Sequence, residues 1–284
     1  MKNSNKYLED LKGKICVVTG GGGMIGTAIA IELAHLEAEV AILDYKQERC
    51  DACAQKLSEK VGKDVTCIVA DVLNEEMLRA SNDHINNKLG KIDILINCAG
   101  GNSLEGTTEL EFLSSENLDE LEKSFFGLTI DGFRSVFDLN LLGTVLPTMI
   151  FSRDMVGRGG AILNVSSMSG FRPLTKVAAY SAAKASINNF TQWLAVHLAR
   201  AGIRVNAIAP GFFLTTQNEY LLKDKDTGEL TERASKIISN TPMERFGDLE
   251  DLLGGVLYLI SDMSRFVTGT VLPIDGGFGI FSGV

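Results

Sequence analysis

Seven short apolar runs recur along the chain: Ile15–Val18, Val40–Leu43, Val65–Val69, Ile92–Ile96, Ala161–Val165, Arg204–Ile208 and Val271–Ile274. Each is continuously apolar rather than alternating, which is the pattern of a strand covered on both faces. Longer stretches with helical spacing separate them: Ile25–Leu36, Gln47–Val61, Glu75–Leu89, Asn140–Asp154, Tyr180–Arg200 and Leu249–Ser261. Repeated strand–helix alternation of this kind predicts an α/β fold, a doubly wound parallel sheet of about seven strands with helices on both faces. A chain of 284 residues suits one such unit, and no repeat or domain boundary interrupts it. Residues 1–284 therefore read as a single domain.

Two stretches break the rhythm. One runs from Gly101 to about Gly132, is acidic, and carries a short helical pattern of its own. The other runs from Gly211 to about Gly247. Both follow apolar strands, so both are expected at the strand C-termini, where open α/β sheets bind ligands. Inserted segments there read as an active-site insertion and a substrate lid rather than as linkers.

The first strand runs into "TGGGGMIG" at residues 19–26, and a helix follows. Four consecutive glycines lose a great deal of backbone entropy on folding, so something must approach that backbone closely. A helix N-terminus offers unpaired N–H groups and the positive end of a dipole, which suits a pyrophosphate. Gly20 is expected to make the tight turn and Gly26 to let the helix pack on the strand. Met24 interrupts the glycines. Gly23 is then expected to take over the close approach, with Met24 turned away or packed under the loop. The second strand ends at Asp44, placed to accept hydrogen bonds from ribose hydroxyls and to repel a 2′-phosphate, which favours NAD over NADP. Lys46 nearby softens that preference. Asp71 follows the third strand and reads equally well as a contact at the adenine edge or as a helix N-cap.

Residues 166–184 read "SSMSGFRPLTKVAAYSAAK". Tyr180 and Lys184 stand at i and i+4 and share one helix face. An ammonium beside a phenol favours the phenolate, so the tyrosine pKa is expected to fall toward the range useful for a general acid/base. Ser167, at a strand end, is placed to donate a hydrogen bond to a substrate carbonyl.

Taken together, "TGGGGMIG", "LD" at 43–44, "AD" at 70–71, "NCAG" at 97–100, Asn140 in "LNLLGT", "NVSS" at 164–167, "YSAAK" at 180–184, "NAIAPGFFLT" at 206–215 and "FVTGTVLPIDGG" at 266–277 resemble the short-chain dehydrogenase/reductase family over essentially the whole chain. The resemblance implies a Rossmann-type sheet and a catalytic tetrad at Asn140, Ser167, Tyr180 and Lys184. Asn140 would hold a water in a proton relay, and Lys184 would also bind the nicotinamide ribose. Carried over by position, NAD contacts fall on Gly20, Gly22, Gly23, Met24, Ile25, Gly26, Asp44, Asp71, Val72, Asn97, Ala99, Gly100, Tyr180, Lys184, Pro210, Gly211, Phe213 and Thr215. The chain departs from the family pattern at Met24, at "NCAG", and in the length of the 100–140 stretch. With those departures it is similar to the D-mannonate oxidoreductase branch, which implies interconversion of D-mannonate and D-fructuronate and a place in hexuronate catabolism. The family also implies a homotetramer.

A sugar-acid substrate needs a cation for its carboxylate and polar groups for its hydroxyls. Arg172 and Asn102 are the candidates beside Ser167 and Tyr180, with Lys176, Arg134 and Arg245 behind them. A dehydrogenase for a polyol or another keto-acid is the competing reading, and a non-catalytic NAD-binding regulator is the reading from another class. Net charge is −9, with no basic stripe, which argues against nucleic acid. The polar N-terminus lacks a signal-like apolar segment, and no run approaches a membrane span, so a cytoplasmic location without a membrane partner is expected. The five cysteines form no second CxxC pair, and the three histidines are scattered, so neither a disulfide framework nor a metal is expected.

Overall fold

The computed structural model describes residues 8–63, 65–213, 222 and 228–283. All seven expected strands form: β1 (Ile15–Thr19), β2 (Glu39–Asp44), β3 (Thr66–Val69), β4 (Ile94–Asn97), β5 (Gly160–Val165), β6 (Ile203–Pro210) and β7 (Val271–Ile274). They make one sheet in the order β3-β2-β1-β4-β5-β6-β7, and every pairing is parallel. The chain winds outward from β1 in one direction and from β4 in the other. The β1–β4 junction is therefore the topological switch point, where a crevice opens beyond the strand C-termini.

The helices α1 (Met24–His35), α2 (Gln47–Val61), α3 (Glu75–Lys88), α4 (Ile130–Phe137), α5 (Gly143–Phe151), α6 (Ala178–Leu198), α7 (Glu232–Ser239) and α8 (Leu249–Ile260) follow. Two apolar layers flank the sheet. One packs Ile29 and Leu33 of α1, Leu57 of α2 and Leu252, Val256 and Leu259 of α8 against β1, β4 and β5. The other packs Leu78 and Ile85 of α3, Ile150 and Phe151 of α5 and Leu194 of α6 on the opposite face. Strands covered on both sides explain the continuous apolar runs.

Local chemistry sets the helix ends. Asn74, not Asp71, caps α3, accepting from the Met77 N–H at 3.0 Å. Thr129 caps α4, Thr231 caps α7, and Asp248 with Asp251 forms a capping box at α8.

The structure corrects the sequence reading in two places around α5. The helical chain there starts at Ile130, ten residues ahead of the expected position, and passes through a π-turn at Asp138–Leu142. The joined stretch Ile130–Met155 spans 26 residues at a mean hydropathy of 1.3. It is thus long and apolar enough for a membrane, contrary to the expectation that no run approaches that length. Its inward side is buried against β4 and α6, and the polar Asn140, Thr144 and Thr148 are among the buried residues, so it packs within the domain.

Candidate active site

The crevice at the switch point is a cleft of about 830 Å³. One end lies at Asp44, Tyr45 and Arg49, the middle at the glycine loop, and the other end at Ser167, Tyr180 and Lys184. Its size falls within the range of small-molecule sites.

The glycine loop shows why side chains are excluded. Gly20 has φ +62°, and a Cβ there would lie 2.8 Å from the Ala99 backbone. A Cβ on Gly26 would lie 2.5 Å from the Gly20 carbonyl oxygen and 2.7 Å from Gly21 Cα. Gly22 packs against the Arg49 backbone on α2, with a hypothetical Cβ 2.9 Å away, and is not among the cleft-lining residues. Gly23 differs: its added Cβ meets only the Gly20 oxygen, at 3.2 Å, and its open side adjoins the cleft. Gly23 is also the N-cap of α1, with no side chain to satisfy the helix N-terminus. Met24 opens α1 and is among the cleft-lining residues beside Ile25 and Gly26, where the resemblance places a cofactor contact.

Asp44 is buried at the end of β2, and its Oδ1 accepts from the Lys46 N–H at 3.3 Å. Tyr45 lies between two cations, with Lys46 Nζ 5.3 Å and Arg49 Cζ 5.4 Å from its ring centroid. Sequence reasoning missed Tyr45 and Arg49. The β2–α2 turn brings them in, and their spacing carries no motif. Asp71 Oδ1 accepts from the Leu73 N–H at 2.9 Å, and both Asp71 and Val72 line the cleft.

At the end of β4, the Thr19 hydroxyl accepts from the Cys98 and Ala99 N–H groups at 3.2 and 3.3 Å. Ala99 and Gly100 thereby face the cleft. Asn97 does not. It is buried, and its Nδ2 donates to Thr148 Oγ1 and Asn164 Oδ1, both at 2.9 Å. It ties β4 to β5 and α5 from below.

Asn140 sits in the π-turn, a local irregularity often found at functional sites. Its Nδ2 donates to the Gly101 and Val136 carbonyls at 2.7 and 2.8 Å, and its Oδ1 accepts from the Gly101 N–H at 3.2 Å. Asn140 is fully buried and holds the start of the 101–132 insertion rather than lining the cleft itself. A Cβ on Gly100 would meet Asn140 Oδ1 at 2.8 Å and Lys184 Nζ at 3.2 Å, so only glycine lets these side chains converge.

Ser167 lies two residues beyond β5, at the N-cap of the Met168–Gly170 turn, and its hydroxyl acts on Tyr180. Lys184 Nζ donates to the Val165 carbonyl at 2.9 Å and stands 5.5 Å from the Tyr180 ring centroid. The expected effect of the ammonium on the phenol is absent from this geometry. Burial raises the Tyr180 pKa above its usual value, the Ser167 hydrogen bond opposes that rise, and Cys98 adds to it. Burial also pushes Lys184 down to about 8. Lys184 is buried, whereas Tyr180 is half-buried at the cleft wall and keeps part of its access to water.

At the end of β6, Pro210 and the following Gly211, Phe212 and Phe213 form the far wall. Thr215 lies outside the described residues. Asn102 lines the cleft and donates to Thr107 Oγ1 at 2.8 Å. Arg172 is exposed and is not among the lining residues. Arg134 pairs with Asp131 at 3.3 Å and Arg245 with Asp251 at 2.6 Å. Among the described lining residues the cations are Arg49 and Lys184. No cluster of three metal-type ligands occurs among the described residues.

The arrangement can bind an elongated anionic molecule across the glycine loop and exchange a proton at Tyr180. Comparison with known proteins points the same way. A structure from Haemophilus influenzae with bound NAD, described provisionally as a D-mannonate oxidoreductase, superposes with a TM-score of 0.91 at 46% identity, covering 97% of this chain and 98% of that one. The oxidoreductase UxuB of Bacillus subtilis is 47% identical over 97% of this chain and 98% of its own length. NAD⁺-bound xylitol dehydrogenase is 33% identical with a TM-score of 0.79, covering 94% of this chain and 99% of that one. The family model described as enoyl-(acyl carrier protein) reductase matches residues 22–279. With that match and those identities, the chain belongs to the short-chain dehydrogenase/reductase family.

Proposed function

We propose that this protein is an NAD(H)-dependent oxidoreductase that interconverts a secondary alcohol and a ketone on a sugar acid, D-mannonate and D-fructuronate being the pair. The observation that carries the reaction type is the convergence of Ser167, Tyr180 and Lys184 at one end of a cleft whose other end is a buried carboxylate, Asp44. The Haemophilus influenzae structure supports the choice of substrate.

The residues present fit NAD. Gly23 leaves an open face beside the N-terminus of α1, where the dipole favours a pyrophosphate. Asp44 and Lys184 both line the cleft, where Asp44 would accept hydrogen bonds from ribose hydroxyls. When bound, NAD supplies hydride acceptance and donation at its nicotinamide. The protein's own part is proton management. In alcohol oxidation Tyr180 takes the hydroxyl proton, and in ketone reduction it returns one. Ser167 holds the substrate oxygen. Lys184 orients a ribose and favours the phenolate once its charge is engaged. Asn140 fixes the Gly101 backbone and would hold a water in a proton relay.

In this reading the 101–132 segment and the described residues 228–247 meet as a mouth over the substrate end. Lys236 of α7 pairs with Glu111 of the insertion at 2.7 Å, and Thr175, ahead of α6, donates to the same carboxylate oxygen at 3.2 Å. An exposed pair of this kind contributes at most about 1 kcal/mol, weak enough for a mouth that opens every turnover. A homotetramer in the cytoplasm completes the reading, and light scattering tests the assembly.

The deciding experiment is a panel of aldonates with NAD and of keto-acids with NADH, followed by NADH absorbance. Turnover on D-mannonate and D-fructuronate well above that on neutral polyols is expected. Activity on polyols alone would transfer the protein to another substrate class. Replacing Asp44 with alanine is expected to weaken NADH binding about tenfold while improving relative affinity for NADPH, because the repulsion of a 2′-phosphate is removed and Lys46 and Arg49 stand nearby. Fluorescence titration with both nucleotides measures it, and an unchanged preference would remove Asp44 from this role.

A further inference from the structure

The turn that follows β5 contains a second serine whose contacts are directional. Ser169 is 2% exposed and Ser167 8%, so neither hydroxyl relies on bulk water. The Ser169 N–H donates to Ser167 Oγ at 3.2 Å, and the Ser169 hydroxyl donates to the same oxygen at 3.0 Å. A serine hydroxyl has two acceptor sites and one proton. With both acceptor sites filled by Ser169, the remaining capacity of Ser167 is to donate, and its partner is Tyr180.

The turn carrying Ser169 cannot swing away from this arrangement. A Cβ on Gly170 would lie 2.9 Å from the Lys184 backbone and from Asn188 Nδ2. The Ser166 hydroxyl, on the other side, lies within hydrogen-bond distance of both the Lys184 carbonyl and Asn188 Oδ1 and donates its one proton between them. The Met168–Gly170 turn is thereby clamped to α6, the helix that carries Tyr180 and Lys184.

We infer that Ser169 is a positioning residue that makes Ser167 an obligate hydrogen-bond donor, toward Tyr180 in the free enzyme and toward the substrate oxygen once substrate is bound. This rests on the reading of Tyr180 as the proton-exchanging group. The opposite orientation, with Ser167 donating to Ser169, would turn a lone pair toward Tyr180 and hold the phenol in its protonated form. Hydrogen bonds arranged in series also strengthen one another. The groups that act on Tyr180 are Ser167 through its hydroxyl, Cys98 from the end of β4, and Lys184 across its ring.

The test uses the full-length enzyme with Ser169→Ala, the near-isosteric Ser169→Cys, whose thiol is a weak donor, and Ser169→Thr, which keeps the hydroxyl. For the alanine and cysteine variants, kcat for alcohol oxidation at neutral pH is expected to fall about fivefold, the value of one net hydrogen bond. The rising limb of their pH–rate profiles moves to higher pH, NADH affinity by fluorescence stays as in the wild type, and the threonine variant restores the profile. A purely structural role for Ser169 would lower the melting temperature and leave the pH limb in place. An unmoved limb in either the alanine or the cysteine variant overturns the inference. Tyr180→Phe in the same series separates the two levels: if it retains turnover, the underlying reading fails, whereas its loss of turnover with an unmoved Ser169→Ala limb sinks only the role of Ser169.

Discussion

Replacing Tyr180 with phenylalanine is expected to lower kcat about a thousandfold, within the range for losing a positioned general acid/base, while NADH binding persists. The substitution removes one oxygen and keeps the ring. That ring stands 5.5 Å from the Lys184 ammonium, and the backbone around it belongs to a long, well-packed helix. The fold and the glycine loop should therefore be untouched. What is lost is the hydroxyl that Ser167 hydrogen-bonds. Without it, nothing at that position can accept the substrate proton in oxidation or supply one in reduction. Stopped-flow absorbance reports turnover, and NADH fluorescence reports binding. Turnover within tenfold of wild type would reject Tyr180 as the proton carrier. Loss of binding together with turnover would assign it a structural role instead.

Gly26→Ala is expected to cost about 3 kcal/mol of stability, at the upper end for forcing extra volume into packed structure. The added methyl would sit 2.5 Å from the Gly20 carbonyl oxygen, and backbone cannot yield as a flexible side chain can. Gly20 cannot retreat, because it holds φ +62° and packs so close to the Ala99 backbone that a Cβ there would lie only 2.8 Å from it. Helix α1 must lift from the loop, which carries the N–H groups at its N-terminus away from the cleft. NADH affinity should then fall about a hundredfold, or roughly 2.7 kcal/mol. Gly23→Ala provides the contrast. Its methyl meets a single protein atom at 3.2 Å, so stability should change by less than about 1 kcal/mol. If the open face of Gly23 is where a pyrophosphate approaches, affinity should still fall. Thermal melts and nucleotide titrations on both variants distinguish packing from ligand contact. Equal losses of stability would refute the division of labour within the loop.

The division between these glycines was not readable from "TGGGGMIG". The sequence shows that the backbone is approached closely, but not by what. Three of the neighbours lie far along the chain: Ala99 beside Gly20, Ile42 beside Gly21, and Arg49 beside Gly22. The same limit applies to Asn97 and Asn140. Both stand in motifs that suggest a site, yet one ties strands together from below and the other clamps the Gly101 backbone. Arg172 shows the reverse error. Five residues separate it from Ser167 in the chain, but the turn at Met168–Gly170 leads away from the cleft and leaves the guanidinium exposed.

The sheet, by contrast, was legible almost to the residue. Strand β7 and helix α2 fall at their expected boundaries, and the other strands differ by one or two residues at their ends. Burial on both faces imposes a continuous apolar run, and that constraint is local enough to read directly. The α4 helix was missed because it starts inside the acidic insertion and runs past its end, so its short apolar pattern is split by the boundary, and α7 because its short pattern is amphipathic only against the lid cluster of Leu222, Ala234 and Ile237.

The sequence by itself determined the layered fold, the order of glycine loop, buried acid and Tyr–Lys pair, and the family to which these belong. Those depend on periodicity and on spacing within single elements. The tertiary structure alone decided the protonation landscape and the direction of the hydrogen bonds. Lys184 is spaced correctly from Tyr180, but burial controls both pKa values, and the ammonium donates to Val165. Spacing along a helix specifies which groups share a face. Desolvation and donor direction depend on what packs against that face, and those atoms come from other parts of the chain.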